Sequence, residues 1–210
     1  DTLCKLAAQI FGAETAIVSP MIVSGTHALS LTLFGLLKTG DTMLSVSGAP
    51  YDTLQTIISG KGNGSLRDYG INYKQIDLIN GDINYTSIED SLRNNNIKLV
   101  FIGRSRGYEW RNALTIEQIK KAADLVKSIS PNTIIMCDNC YGEFTDYTEP
   151  TENNVDIIAG SLIKNPGGGI APTGGYICGK KFLVDQVAAR LTAPSIGMEV
   201  GSYAAGYRTF

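Results

Sequence analysis

Residues 115–138 read TIEQIKKAADLVKSISPNTIIMCD, and the change of period inside this stretch decides the fold. Up to Ser130 the apolar residues recur at helical spacing, which gives an amphipathic helix with Thr115 as N-cap and Gln118 at the capping-box position. Pro131 and Asn132 stop it. TIIMCD then follows as a β-branched apolar run of the kind buried on both faces of a sheet. A helix that feeds into such a strand is half of a right-handed βαβ crossover.

The alternation continues outward on both sides. Towards the N terminus, DTLCKLAAQIFG is helix-like, and THALSLTLFGLLKTGD is a helix closing at Lys38, Gly40 and Asp41. TMLSVS is a short strand, YDTLQTIIS a helix that Asp52 caps, and GKGNGS a loop. INYKQIDL is a strand, TSIEDSLRNN a helix with a Ser/Thr start, and IKLVFIG another strand. Towards the C terminus, VDIIAGSLIK and GGYICG are strands and KKFLVDQVAARL is the last helix. The expected fold class is α/β, a mainly parallel sheet with helices on both faces in three layers.

Composition narrows the function classes. The chain has 210 residues, 43% hydrophobic and 18% charged, as an ordinary globular domain does. A net charge of −2 without a basic stripe argues against a nucleic-acid partner. The apolar runs are too short to span a bilayer, and no signal-peptide pattern opens the chain. A cytoplasmic protein acting on a small molecule is expected. Of the four cysteines, Cys137 and Cys140 have CxxC spacing. A zinc site needs a second ligand pair, and a redox motif needs its first thiol at a helix start, whereas Cys137 ends a strand. Reduced thiols in or near the core are the expectation.

In a parallel sheet ligands bind outside the carboxyl ends of the strands. The polar residues there are Asp138, Ser161 and Lys164, Arg104 and Arg106, and residues 48–51. VSGTHA, residues 23–28, joins them where it opens the first long helix. It is either an ordinary Ser/Thr cap or an anion site made by free N–H groups and the helix dipole. Its glycines do not match a dinucleotide fingerprint, so the anion is a lone phosphate. Asp138, at the end of a buried strand, is a metal ligand, a turn cap or the partner of a protonated ring nitrogen. Lys164, in GSLIKNPGGG at residues 160–169, is either a surface lysine or a nucleophile whose pKa the apolar lead-in lowers. A phosphate cup, a carboxylate and a buried lysine at neighbouring strand ends are the protein side of pyridoxal phosphate binding.

The stretches SGTHALSLTLFGLLKTGD, APYDTL, GRSRGYEWR, MCDNCYGEF and SLIKNPGGGIAPTGGYICG span nearly the whole chain. Together they resemble the fold type I pyridoxal-phosphate enzymes of the cystathionine lyase and methionine γ-lyase group, nearest the aluminium resistance protein branch. The resemblance implies that Gly25 and Thr26 donate N–H groups to the phosphate and that Ser161 contacts it. It implies that Tyr51 stacks on the pyridine ring, that Asp138 pairs with the ring nitrogen and that Lys164 forms the internal aldimine. A carbon–sulfur lyase acting on cystathionine or methionine by β- or γ-elimination is the function it implies. An aminotransferase, or a non-catalytic domain that keeps the fold, is the alternative.

Two departures from the group stand out. Ile163 precedes the lysine where a threonine is usual. RSRGY replaces the usual NP after the fourth strand, so Arg104 or Arg106 serves the ring oxygen or the substrate carboxylate, with Arg106 taken as the substrate-binding residue. His27 either stacks or hydrogen-bonds at the phosphate turn, or packs the helix. The resemblance also implies that residues 1–210 are the large, cofactor-binding domain of a longer chain, with an N-terminal segment and a smaller C-terminal domain beyond it. LTAPSIGMEVGSYAAGYRTF reads as the start of that connection. Assembly as a homodimer or homotetramer, with active sites that borrow residues from a partner, is part of the same expectation.

Overall fold

The computed structural model describes residues 2–199, so residues 200–210 of the expected connection lie outside the described residues. In chain order the elements are α1 (Thr2–Ile10), β1 (Thr15–Ser19), α2 (Gly25–Leu36), β2 (Thr42–Ser45), α3 (Asp52–Ser59), β3 (Asn72–Gln75) and α4 (Tyr85–Asn94). They continue with β4 (Leu99–Gly103), α5 (Ile116–Ile129), β5 (Ile134–Asp138), a 3-10 turn (Pro150–Glu152), β6 (Ile157–Ser161), β7 (Gly175–Gly179) and α6 (Lys181–Ala188).

The seven strands form one sheet in the order β3-β2-β4-β5-β6-β7-β1. All pairs from β3 to β6 are parallel, and β7 runs antiparallel to both β6 and β1. Successive residues of each central strand enter opposite cores. Leu99, Phe101, Ile134 and Met136 pack on the face of α2, α3 and α6. Val100, Ile102, Ile135 and Cys137 pack on the face of α1, α4 and α5. This two-sided burial is why TIIMCD shows no polar alternation.

Thr115 caps α5, and both bonds of its capping box with Gln118 are made. Three local expectations change. Tyr51 is the N-cap of α3 and makes no side-chain cap bond, so Asp52 is a first-turn residue that complements the helix dipole. Asn84 caps α4 by accepting from Ser87 N–H, because the helix begins before the expected threonine. The strand expected over VDIIAGSLIK ends at Ser161, which leaves Lys164 in the following turn. β1, which the sequence reading did not single out, adds an edge strand.

Candidate active site

The carboxyl ends of β1, β4, β5 and β6 meet at one edge of the sheet. Gly103 lies opposite Asp138, Asp138 opposite Ala159, and both Ser161 and Ser19 opposite Gly175. By alternation Asp138 and Ser161 share the sheet face of Met136 and Ala159, the face on which α2 packs.

After β1 the chain turns and starts α2 at this edge. Ser24 is the N-cap, and its Oγ accepts from His27 N–H at 3.0 Å. Ala28 N–H donates to Ser24 O. The N–H groups of Gly25 and Thr26 therefore remain as first-turn donors with no intrahelical acceptor. A Cβ at Gly25 would sit 2.9 Å from Ser161 Cβ and 3.4 Å from Cys140 Sγ, so only glycine lets the helix start this close to β6. His27 Nδ1 accepts from Val23 N–H at 3.2 Å, and burial lowers its pKa. The ring thus closes its own turn.

Tyr51 bridges α3 to α2, its Oη 2.9 Å from Thr26 Oγ1. Burial pushes the phenol up to about 12, against the opposing hydrogen bond from Thr26 and with the help of Asp138 and Cys140. Asp138 is buried and accepts from Cys140 N–H at 3.1 Å. Burial raises its pKa, while the Cys140 N–H and thiol, then Lys164, pull the other way.

Lys164 is half-buried, with its Nζ 4.2 Å from the centroid of the Tyr141 ring. Its pKa departs from the sequence expectation. Burial acts to lower it, but Cys140, Tyr141 and Asp138 together outweigh burial and raise it. The apolar lead-in is less enclosing than it reads, since Ile163 is 57% exposed.

Six of the expected residues, Gly25, Thr26, Tyr51, Asp138, Ser161 and Lys164, line one cavity of about 500 Å3, a size that suits a small organic ligand. Arg106 is exposed and lines an adjoining pocket of about 120 Å3 together with Tyr51 and Asp138. Arg104 is buried and held by its own partners. Its guanidinium donates to Asn139 Oδ1 at 2.9 Å and Thr145 Oγ1 at 3.3 Å, with Glu149 at 3.6 Å. Of the two arginines, Arg106 faces the cleft and Arg104 braces the turn after β5.

That turn contains groups the sequence reading missed. Glu143 is buried, accepts from Tyr176 Oη at 2.7 Å, and its second oxygen has no partner. Burial pushes its pKa up to about 7. Asn165 Nδ2 donates to Glu143 O at 2.9 Å, which ties the turn to the residue after Lys164. Nothing in MCDNCYGEF marks Glu143 as buried, because Tyr176 lies 33 residues away. Cys137, Cys140 and Cys178 are buried free thiols, and Cys4 is partly buried. Burial pushes the Cys137 and Cys140 thiols up, away from the thiolate form. Among the described residues no cluster of His, Cys, Asp or Glu could hold a metal ion. No helix there is long and apolar enough to cross a membrane.

The chain is 45% identical to an uncharacterized protein, YnbB, of Bacillus subtilis over 96% of its own length and 49% of that protein's. A structure from Listeria monocytogenes, named a "putative cystathionine beta-lyase involved in aluminum resistance", superposes with a TM-score of 0.92 at 50% identity. It is matched over 96% of this chain and 50% of that one. This chain thus spans about half the length of the relatives it matches. A more distant structure is the "putative O-acetylhomoserine (thiol)-lyase" of Campylobacter jejuni, which carries a pyridoxyl-lysine phosphate. It has a TM-score of 0.60 and 26% identity over 89% of this chain and 40% of that one. The architecture is that of the fold type I pyridoxal-phosphate enzymes. The methionine gamma-lyase family model matches residues 1–210, and the chain belongs to that family.

Proposed function

We propose that the protein is a pyridoxal-phosphate-dependent carbon–sulfur lyase that cleaves a sulfur amino acid of the cystathionine or methionine type. The observation that carries this reading is the convergence of a lysine amine, a buried carboxylate and free helix N–H groups on one cavity. The residues present fit the cofactor. Asp138 is a buried carboxylate whose hydrogen-bond partners, the N–H and thiol of Cys140, are neutral, so a protonated ring nitrogen would complete it. The leftover first-turn donors of α2 suit a phosphate.

When bound, pyridoxal phosphate supplies an electron sink for negative charge developing at the substrate Cα. Gly25 and Thr26 N–H groups would hold the phosphate with the positive end of α2 behind them, and Ser161 would add a hydroxyl. Asp138 would keep the proton on the pyridine nitrogen. Tyr51 would cover the ring, its phenol protonated at neutral pH. Lys164 Nζ would carry the cofactor and, once displaced by an amino acid, take the proton from Cα. That role needs a neutral amine. Pairing Asp138 with a cationic ring nitrogen cancels one of the charges that keep the ammonium protonated. For a C–S bond at Cβ, loss of the Cα proton would let that bond break with its electron pair on sulfur, whereas for one at Cγ a second proton would first have to leave Cβ; the thiolate would take up a proton, and hydrolysis of the remainder would give a keto acid and ammonia.

Arg106, at the rim, would draw in the substrate carboxylate. The near-complete exposure of Tyr108 and Trp110 beside the cleft supports assembly as a homodimer or homotetramer. The free thiols support a cytoplasmic location. The test is to incubate cofactor-loaded protein with L-cystathionine or L-methionine and assay thiol, keto acid and ammonia. Release of all three is expected. No product, or an amino group moved to an added keto acid without thiol, overturns the reading.

A further inference from the structure

The turn after β5 is held in a strained shape. Tyr141 (φ 65°) and Phe144 (φ 61°) lie in the left-handed region, which favours glycine. An aromatic residue stays there only where its surroundings impose it. Those surroundings are the buried groups Arg104, Asn139 and Glu149. Asn139 O accepts from Gly142 N–H at 2.9 Å, and Glu149 accepts from Asn139 Nδ2 at 2.8 Å and from Phe144 N–H at 2.9 Å. Arg104 closes against the same turn, since a Cβ at Gly142 would collide with its side chain. The Phe144 ring stacks on Phe11 at 5.7 Å. Tyr141 gains no comparable burial and is 60% exposed.

The strained turn therefore serves the direction of the Tyr141 ring, and that direction is towards Lys164. The Nζ lies 4.2 Å from the ring centroid, within cation–π range. Asn165 Nδ2 donates to Glu143 O at 2.9 Å, so the turn of Lys164 is pinned to the turn of Tyr141. With Lys164 the ring borders the 500 Å3 cavity, and with Arg104, Leu114 and Gly142 it borders a second cavity of about 450 Å3. The other titratable groups that act on Lys164 are Asp138 at the end of β5 and Cys140 and Glu143 in its turn. A ring face attracts an ammonium but not a neutral amine.

We propose that Tyr141 is a positioning residue for Lys164: the braced turn holds its ring against the ammonium and keeps the free lysine at the cavity wall, where the cofactor would meet it. That destination rests on the lyase reading, whereas the contact does not. Arg104, Asn139 and Glu149 then act on the site through Tyr141.

The test follows the lysine Cε signals by NMR in the cofactor-free full chain, from neutral to alkaline pH. The Lys164 signal is the one absent from Lys164→Ala. At neutral pH the ring current should displace it upfield in the parent and in Tyr141→Phe, and Tyr141→Leu should lose the displacement. Its titration midpoint should fall in the order parent, Tyr141→Phe, Tyr141→Leu, because the phenol's own charge goes with the hydroxyl and the cation–π contact goes with the ring. The step from Phe to Leu should be about half a pH unit. A ring that only fills space moves no midpoint. Tyr141→Gly, which adopts the left-handed conformation freely, should also lose the displacement, and it decides if Tyr141→Leu does not fold. A parent signal without displacement, or Tyr141→Leu indistinguishable from Tyr141→Phe, overturns the proposal. Labelling with pyridoxal phosphate and borohydride reports on the lyase reading separately. Lys164 labelled but never displaced by the ring refutes the proposal alone, and Lys164 displaced but never labelled refutes the reading alone.

Discussion

Glu143→Gln should remove a pH dependence from the stability of the fold. Glu143 is buried with one oxygen on Tyr176 Oη and the other unpartnered, and its pKa is about 7 against 4.5 for an ordinary glutamate. A carboxyl whose folded pKa is raised is easier to protonate in the native state than in the unfolded chain. Below 4.5 both states are protonated and the group costs nothing. As pH rises from 4.5 to 7 the unfolded chain releases its proton first, stability falls, and above 7 the loss is complete. The two values correspond to about 2–3 kcal/mol lost between pH 5 and pH 8. Glutamine keeps an acceptor for Tyr176 and cannot ionise. Urea unfolding of parent and variant at both pH values measures the difference. The variant's loss between pH 5 and pH 8 should be smaller by about 2–3 kcal/mol, a midpoint shift of roughly 1 M at the slope of a chain this size. Identical pH dependence in the two proteins would refute the reasoning.

Gly160→Ala would bring a Cβ to 2.4 Å from Tyr176 Oη. The fully buried tyrosine has no room to retreat, so a cost of about 2–4 kcal/mol should appear as a lower melting temperature. Arg104→Ala would strand Glu149 and Asn139 in the interior, and calorimetry should register a loss of about 3–5 kcal/mol. Asp138→Asn should leave the fold intact by circular dichroism yet lower the lyase rate by at least about a hundredfold, because a neutral amide cannot hold the proton on the ring nitrogen. A variant as fast as the parent would remove Asp138 from the mechanism.

The parts of the fold legible in the sequence are those set by local periodicity. α5 and β5 follow from one switch of period, and the Thr115–Gln118 box forms as read. The edge strand β1 and the reversed direction of β7 were not legible, since GGYICG has the same pattern in either direction and only its partners fix which it takes. The residues of the candidate site were legible because strand ends converge, which follows from the parallel sheet itself. Their electrostatics were not. Lys164 looked like an amine with a lowered pKa, but Cys140, Tyr141 and Asp138 surround it and reverse the sign. Arg104 and Arg106, two residues apart, divide between interior and cleft through the depth of one turn.

In the proposed reaction Lys164 is the residue that would carry the cofactor. Protein incubated with pyridoxal phosphate, reduced with borohydride and digested should yield one modified peptide, with the pyridoxyl group on Lys164, and Lys164→Ala should yield none. A pyridoxyl group on another lysine, or label retained in Lys164→Ala, would contradict it.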